Sequence, residues 1–80
     1  MPMTAAERKE AMPHGAQRRV AKRIRRSETY ITLVMNDGVV PKTPRGARTL
    51  TRAQIAIAEA IGKPVEDVFP VERSASIAAA

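Results

Sequence analysis

Gln17-Arg18-Arg19-Val20-Ala21-Lys22-Arg23-Ile24-Arg25-Arg26-Ser27-Glu28-Thr29-Tyr30-Ile31-Thr32-Leu33-Val34-Met35-Asn36 is the stretch that decides the fold. Ala16, Val20, Ala21 and Ile24 fall on one helical stripe and the arginines on the other, which predicts an amphipathic helix. Arg25-Arg26 then reads as a break. Ser27 suits the N-cap of a second helix, its hydroxyl satisfying an otherwise unpaired amide of the first turn. Ile31, Val34 and Met35 follow at i, i+3, i+4 spacing, so the second helix also has a single apolar face. Asn36-Asp37-Gly38 stops it, with Gly38 expected in the left-handed conformation that ends many helices. Two short helices of this kind, joined by a tight turn, can pack across each other at a steep angle. Ala21 supplies the small residue that close approach needs, with Val20 and Ile24 beside it and Ile31 and Val34 returning from the second helix.

Upstream, Thr4-Ala5-Ala6-Glu7 has the spacing of a capping box, so a short helix is expected there. Pro13 ends it by constraining Met12, and His14-Gly15 makes a turn. Downstream, Val39 to Thr49 contains Pro41, Pro44, Gly46 and three basic residues, and reads as an exposed loop with a brief extended piece at Val39-Val40. Thr51 to Gln54 reads as a second capping box, with Leu50 and Ile55 as a hydrophobic staple. The helix opened there contains Ile57, Ala58 and Ile61, and ends at Gly62 with Pro64 close behind. Val65, Val68 and Phe69 indicate one more helical turn before Pro70, and the segment from Val71 to Ala80 is expected to fray. The fold class is therefore all-α, four or five short helices with little or no sheet. Residues 1–15 form an N-terminal helix and turn, 16–70 the main domain and 71–80 a flexible tail. Ile24, Ile31, Val34, Ile57, Ile61 and Phe69 are expected in the core, with Tyr30 covering its edge.

Eighty residues make one domain with a small core, whose stability is expected to be only a few kcal/mol. There is no cysteine, so disulfides and thiolate metal sites are excluded, and the single His14 argues against a zinc site. The sequence shows no carboxylate pair, nucleophile–base set or glycine-rich phosphate loop. Neither an enzyme nor a bound cofactor is expected. No apolar run approaches the ~20 residues of a membrane span, which makes a cytoplasmic protein the default. The net charge of +6 is unevenly spread. Residues 16–52 hold ten Lys/Arg against Glu28 and Asp37, a net of +8, while 1–15 are neutral and 53–80 carry −2. That block points to a polyanionic partner met by the middle of the chain.

The segment from Gln17 to Asn36 resembles the helix-turn-helix of the phage Cro and lambda-repressor family of DNA-binding proteins. The alanine in its fifth position and the apolar residues at its fourth, eighth, fifteenth and eighteenth stand where that family has them. The likeness continues from Ala53 to Pro70, where a helix, Gly62 and a short turn ending in Phe69 close the domain. Together the two stretches cover about half the chain. The family usually carries glycine and then an apolar residue at the turn. Here Arg25-Arg26 stands there, so either Arg25 takes positive φ at a cost of about 1 kcal/mol or the turn has another shape.

The resemblance implies a lambda-repressor-like domain acting as a sequence-specific transcriptional regulator, a repressor on operator half-sites in the bacterial cytoplasm or nucleoid. It implies that the outer face of the second helix, namely Glu28, Thr29, Thr32, Leu33 and Asn36, reads bases. Gln17 and Ser27 are then placed to contact phosphate, and Arg18, Arg19, Lys22, Arg26, Lys42, Arg45 and Arg48 supply the electrostatic attraction. Such proteins bind double-stranded DNA as homodimers on half-sites about one helical turn (~34 Å) apart. The closing helix and the tail containing Ile77 are the candidate dimer surfaces, and an exposed Leu33 would also fit one. Two other readings stand beside this one. A small basic RNA-binding protein is disfavoured by a single Tyr and a single Phe, which offer little for stacking on splayed bases. An antitoxin-type interaction module would wrap a protein partner with its tail, and could also bind DNA.

Overall fold

The computed structural model describes residues 2–69, and the expectations for Pro70 to Ala80, Ile77 among them, lie outside these. Among the described residues the protein is all-helical: α1 (Ala5–Ala11), α2 (Ala16–Ile24), α3 (Glu28–Met35), α4 (Pro44–Ile61) and α5 (Val65–Val68). The capping box at α1 is complete. Thr4 Oγ1 accepts from the Glu7 amide at 3.2 Å and Glu7 Oε1 accepts from the Thr4 amide at 2.9 Å. These two bonds, first the one from the Thr4 backbone, hold the Glu7 carboxyl below its ordinary pKa. Ser27 caps α3 by accepting from the Tyr30 amide at 3.1 Å, and Gly62 closes α4 at φ 88°.

The segment from Val39 to Thr49 is not all loop, because α4 starts at Pro44 and runs 18 residues. Thr43 is its N-cap, accepting from the Gly46 amide at 3.0 Å, and Pro44 sits in the first turn, where a fixed φ and a missing amide hydrogen favour a helix. Thr51 therefore caps nothing. Its hydroxyl donates back to the Ala47 carbonyl one turn earlier, at 3.0 Å, and Gln54 is buried within the helix. Nor do Leu50 and Ile55 form a staple, since Leu50 enters the core while Ile55 is 42% exposed. At the end of α3 the left-handed residue is Asp37, at φ 55°, and not Gly38. The Gly38 amide reaches the Leu33 carbonyl at 2.8 Å and the Asp37 amide reaches that of Val34, which satisfies the last carbonyls of α3 with Asp37 in the position glycine usually takes.

The core gathers Val20 and Ala21 from α2, Ile31, Val34 and Met35 from α3, Leu50, Ala53, Ala56, Ile57 and Ala58 from α4, and Val68 with Phe69 from the closing turn. α2 packs on both α3 and α4, and α4 packs on α3 and α5. The alanines on α2 and α4 let these backbones approach, as close packing of short helices requires. Ile31, Val34, Ile57 and Phe69 are buried as expected, whereas Ile24 and Ile61 are half-buried at the margin because they end their helices. Tyr30 is half-buried against the core.

One element of this packing has no counterpart in the sequence reading. Arg8 on α1 is 1% exposed, deeper than most of the apolar side chains. Its Nε donates to the Val68 carbonyl at 2.7 Å, Nη1 to the Met35 carbonyl at 2.6 Å and to Asp37 Oδ2 at 3.0 Å, and Nη2 to the Met3 carbonyl at 2.9 Å. The guanidinium also lies 4.5 Å from the centre of the Phe69 ring. Removing Arg8 leaves three backbone carbonyls short of a donor in a closed site. Arg8→Ala is expected to destabilise the fold by about 3–4 kcal/mol, enough to unfold most of the population of so small a domain. Arg8→Lys should recover only a small part, because an ammonium cannot span the same fork of acceptors. Urea unfolding followed by circular dichroism measures both, and a near-native midpoint for Arg8→Ala would refute the assignment.

Candidate functional site

The surface built by α2, the turn after it and α3 is the strongest candidate. Arg25 adopts φ 58°, ψ 46°, the left-handed conformation, which is the first of the two readings of the turn. The Arg26 amide donates to the Ala21 carbonyl at 2.9 Å and the Arg25 amide to that of Lys22 at 3.3 Å, so α2 ends in the same way as α3. Ser27 is already extended, and α3 begins at once. The Arg26 guanidinium lies 5.9 Å from the centre of the Tyr30 ring. Partial burial raises the Tyr30 phenol pKa, and the Arg26 charge opposes that rise.

α3 divides cleanly into two faces. Ile31, Val34 and Met35 are buried, while Glu28, Thr29, Thr32 and Leu33, with Asn36 at the cap, are all exposed. Positions i, i+1, i+4, i+5 and i+8 of a helix share one side, so the five candidate readers stand together. Gln17, at the start of α2, ties this face to its neighbour. Its Nε2 donates to Thr32 Oγ1 and lies 3.5 Å from the Glu28 carbonyl, to which Thr32 Oγ1 itself donates at 3.1 Å. The Thr32 hydroxyl thus spends its proton within the protein and receives another from Gln17.

The cations fall into several groups. Arg18 and Lys22 are exposed on α2. Arg26, Tyr30, Arg45 and Thr49 line an open cleft where the first turn of α4 meets α3. Lys42 is exposed ahead of α4 and Arg48 on it. Arg19 stands apart. It lines the groove between α2 and α4 with Arg23, Ala56 and Glu59, as a two-residue offset from Gln17, about 200° around a helix, requires. In that groove Arg23 and Glu59 form an exposed ion pair at 2.6 Å, of the kind that contributes little to stability. Arg52 was not singled out from sequence. It is exposed and lines a second cleft with Arg23, Ile24 and Ile55. Its signal was the i, i+3, i+7 spacing of Arg45, Arg48 and Arg52, which has meaning only once Pro44 is seen to start a helix.

Val68 and Phe69 of the closing turn are buried in the core, and among the described residues the exposed large apolar side chains are Leu33, Val40 and Ile55, the last on α4. Among the described residues no group of three His, Cys, Asp or Glu gathers as a metal site would need, and no helix is long and apolar enough to cross a membrane. No family model, no curated protein and no solved structure matches the chain.

The turn makes its own prediction. An L-residue with a β-carbon is strained in the left-handed region, and Arg25 is exposed with no side-chain partner among its hydrogen bonds to lose. Arg25→Gly should therefore stabilise the fold by about 1 kcal/mol, read as a higher urea midpoint at unchanged slope. A lower midpoint would mean that the turn relies on the arginine side chain.

Proposed function

We propose that the protein is a sequence-specific double-stranded DNA-binding regulator of transcription, a Cro-like repressor that binds operator half-sites as a homodimer. In this reading α2 and α3 form a helix-turn-helix with α3 as the recognition helix. The observation that carries it is the undivided outer face of α3, five exposed side chains on a helix whose other side is anchored by Ile31, Val34 and Met35. A helix so presented fits the width of the major groove. Glu28, Thr29, Thr32, Leu33 and Asn36 meet base edges. Gln17 and Ser27 hold the ends of α2 and α3 against phosphates, and Arg18, Lys22, Arg26, Lys42, Arg45 and Arg48, with Arg19 further round α2, supply the attraction that salt weakens. Two copies are needed because one domain with few base contacts would bind weakly.

A gel shift against the DNA flanking the protein's own gene tests the reading. With about five phosphates neutralised per subunit, log K is expected to fall with log[salt] at a slope of about −4 to −5. Thr32→Ala should weaken specific binding by about 1–3 kcal/mol and leave non-specific affinity nearly intact. Equal loss of both would remove Thr32 from the readers. Stronger competition by structured RNA than by duplex DNA would overturn the reading as a whole.

A further inference from the structure

Resting on the duplex-reading role of α3, we infer a specificity class: the centre of its outer face selects A·T pairs by packing against the C5 methyl group of thymine. The argument begins with what the face lacks. From Glu28 to Asn36 there is no lysine or arginine, so α3 has no group for the two-pronged contact to guanine O6 and N7, the commonest specific contact in the major groove. The basic residues stand on other elements: Arg26 and Arg45 line the cleft between α3 and the start of α4, and further exposed cations stand on α2 and α4, where they attract a polyanion without reading it.

Thr32 and Leu33 hold the middle of the face. Thr32 could in principle offer a hydroxyl to a base, but its proton goes to the Glu28 carbonyl and the oxygen accepts from Gln17. The hydroxyl therefore has no proton left for a base and keeps only one acceptor lone pair, while the γ-methyl is tied to nothing. Leu33 beside it is 46% exposed, and its Cδ2 lies 3.5 Å from where a β-carbon on Gly38 would stand, so one flank of the side chain rests on the turn that ends α3. Two adjacent apolar groups, held by their own helix, match a methyl group inside a polyanionic groove better than they match water. Asn36 is exposed one turn further on, with the amide that pairs with adenine N6 and N7. Glu28, at the other end, can accept from an exocyclic amine such as cytosine N4. The face therefore expects a thymine methyl at its centre, an adenine towards the end of α3 and an amine towards its start.

The test acts on the DNA, so it does not depend on how a variant folds. Duplexes are first selected by the full chain from a random library, and each selected thymine is then replaced by deoxyuridine, which removes only the methyl. Binding is read by fluorescence anisotropy. Selection should yield A·T pairs at the centre of the half-site, and one or two uridine replacements should each weaken binding about fourfold, the worth of one buried methyl. Leu33→Ala should make those positions indifferent to the replacement. Thr32→Val, which keeps the methyl, should retain the preference that Thr32→Ser loses. A selected duplex that binds equally well with uridine throughout overturns this inference and leaves the duplex-binding role standing. The same result with Leu33→Ala shifting the protein from dimer to monomer would assign Leu33 to a contact between copies. Failure to enrich any duplex, with no salt-dependent binding, overturns the underlying role and the inference with it.

Discussion

The fold depends on one buried guanidinium. Arg8 joins four places that the chain visits far apart: the N-terminal strand of backbone at Met3, the end of α3 at Met35, the turn at Asp37 and the end of α5 at Val68. Helix ends leave carbonyls without partners, and two such ends are turned inward here. A single side chain with five donors meets them where water cannot, while its flat face lies on Phe69. The N-terminal helix, which charge balance would set aside as a neutral appendage, is thereby part of the domain. The Met3 amide adds to this by donating to the Asp67 carbonyl at 3.0 Å. A chain of this size has little apolar area to bury, and a polar cross-brace of this kind fixes relative positions that packing alone would leave loose.

What could be read from sequence follows from which forces leave a local mark. α2 and α3 were legible because an apolar stripe and a serine cap are written within one or two turns of chain. The break at Arg25-Arg26 was legible too, but with no glycine there to mark it, the positive φ at Arg25 was only one of two readings of the turn. The start of α4 was not, because proline and glycine carry opposite meanings by position. Pro44 and Gly46 look like breakers until Thr43 is seen to cap them. Arg8 was illegible for a different reason. A charge is assumed to seek solvent, and only the tertiary arrangement shows acceptors at 27 and 60 residues' separation closing around it. Asp37 and Gly38 illustrate the finest limit. The turn was placed to the residue pair, but the tie to Arg8 accompanies an aspartate, not the glycine, in the left-handed position.

The candidate surface has the same division. The exposed set on α3 follows from helical periodicity, so naming its inward face named its outward one. The groups that prepare that face were not visible in the same way. Gln17 meets Thr32 across 15 residues, and that contact decides which atoms of Thr32 remain available. Arg19 and Lys22 look equivalent in a basic run, yet Arg19 lines the groove beside α4. A run of charge in sequence is divided among surfaces by the helix that carries it.

The early start of α4 has a thermodynamic consequence. Had the segment after Asp37 been an irregular loop, Arg45, Arg48 and Arg52 would each sample many positions, and a partner would have to restrain backbone as well as side chains on contact. On a capped helix their α-carbons are fixed, about 10 Å from first to last, at 1.5 Å per residue. Backbone ordering of roughly 1–2 kcal/mol per residue is met during folding and is not charged again to association. Thr43, whose hydroxyl caps the first turn of α4 and which lines the cleft beside Arg45, thus helps to fix where these cations stand before anything meets them.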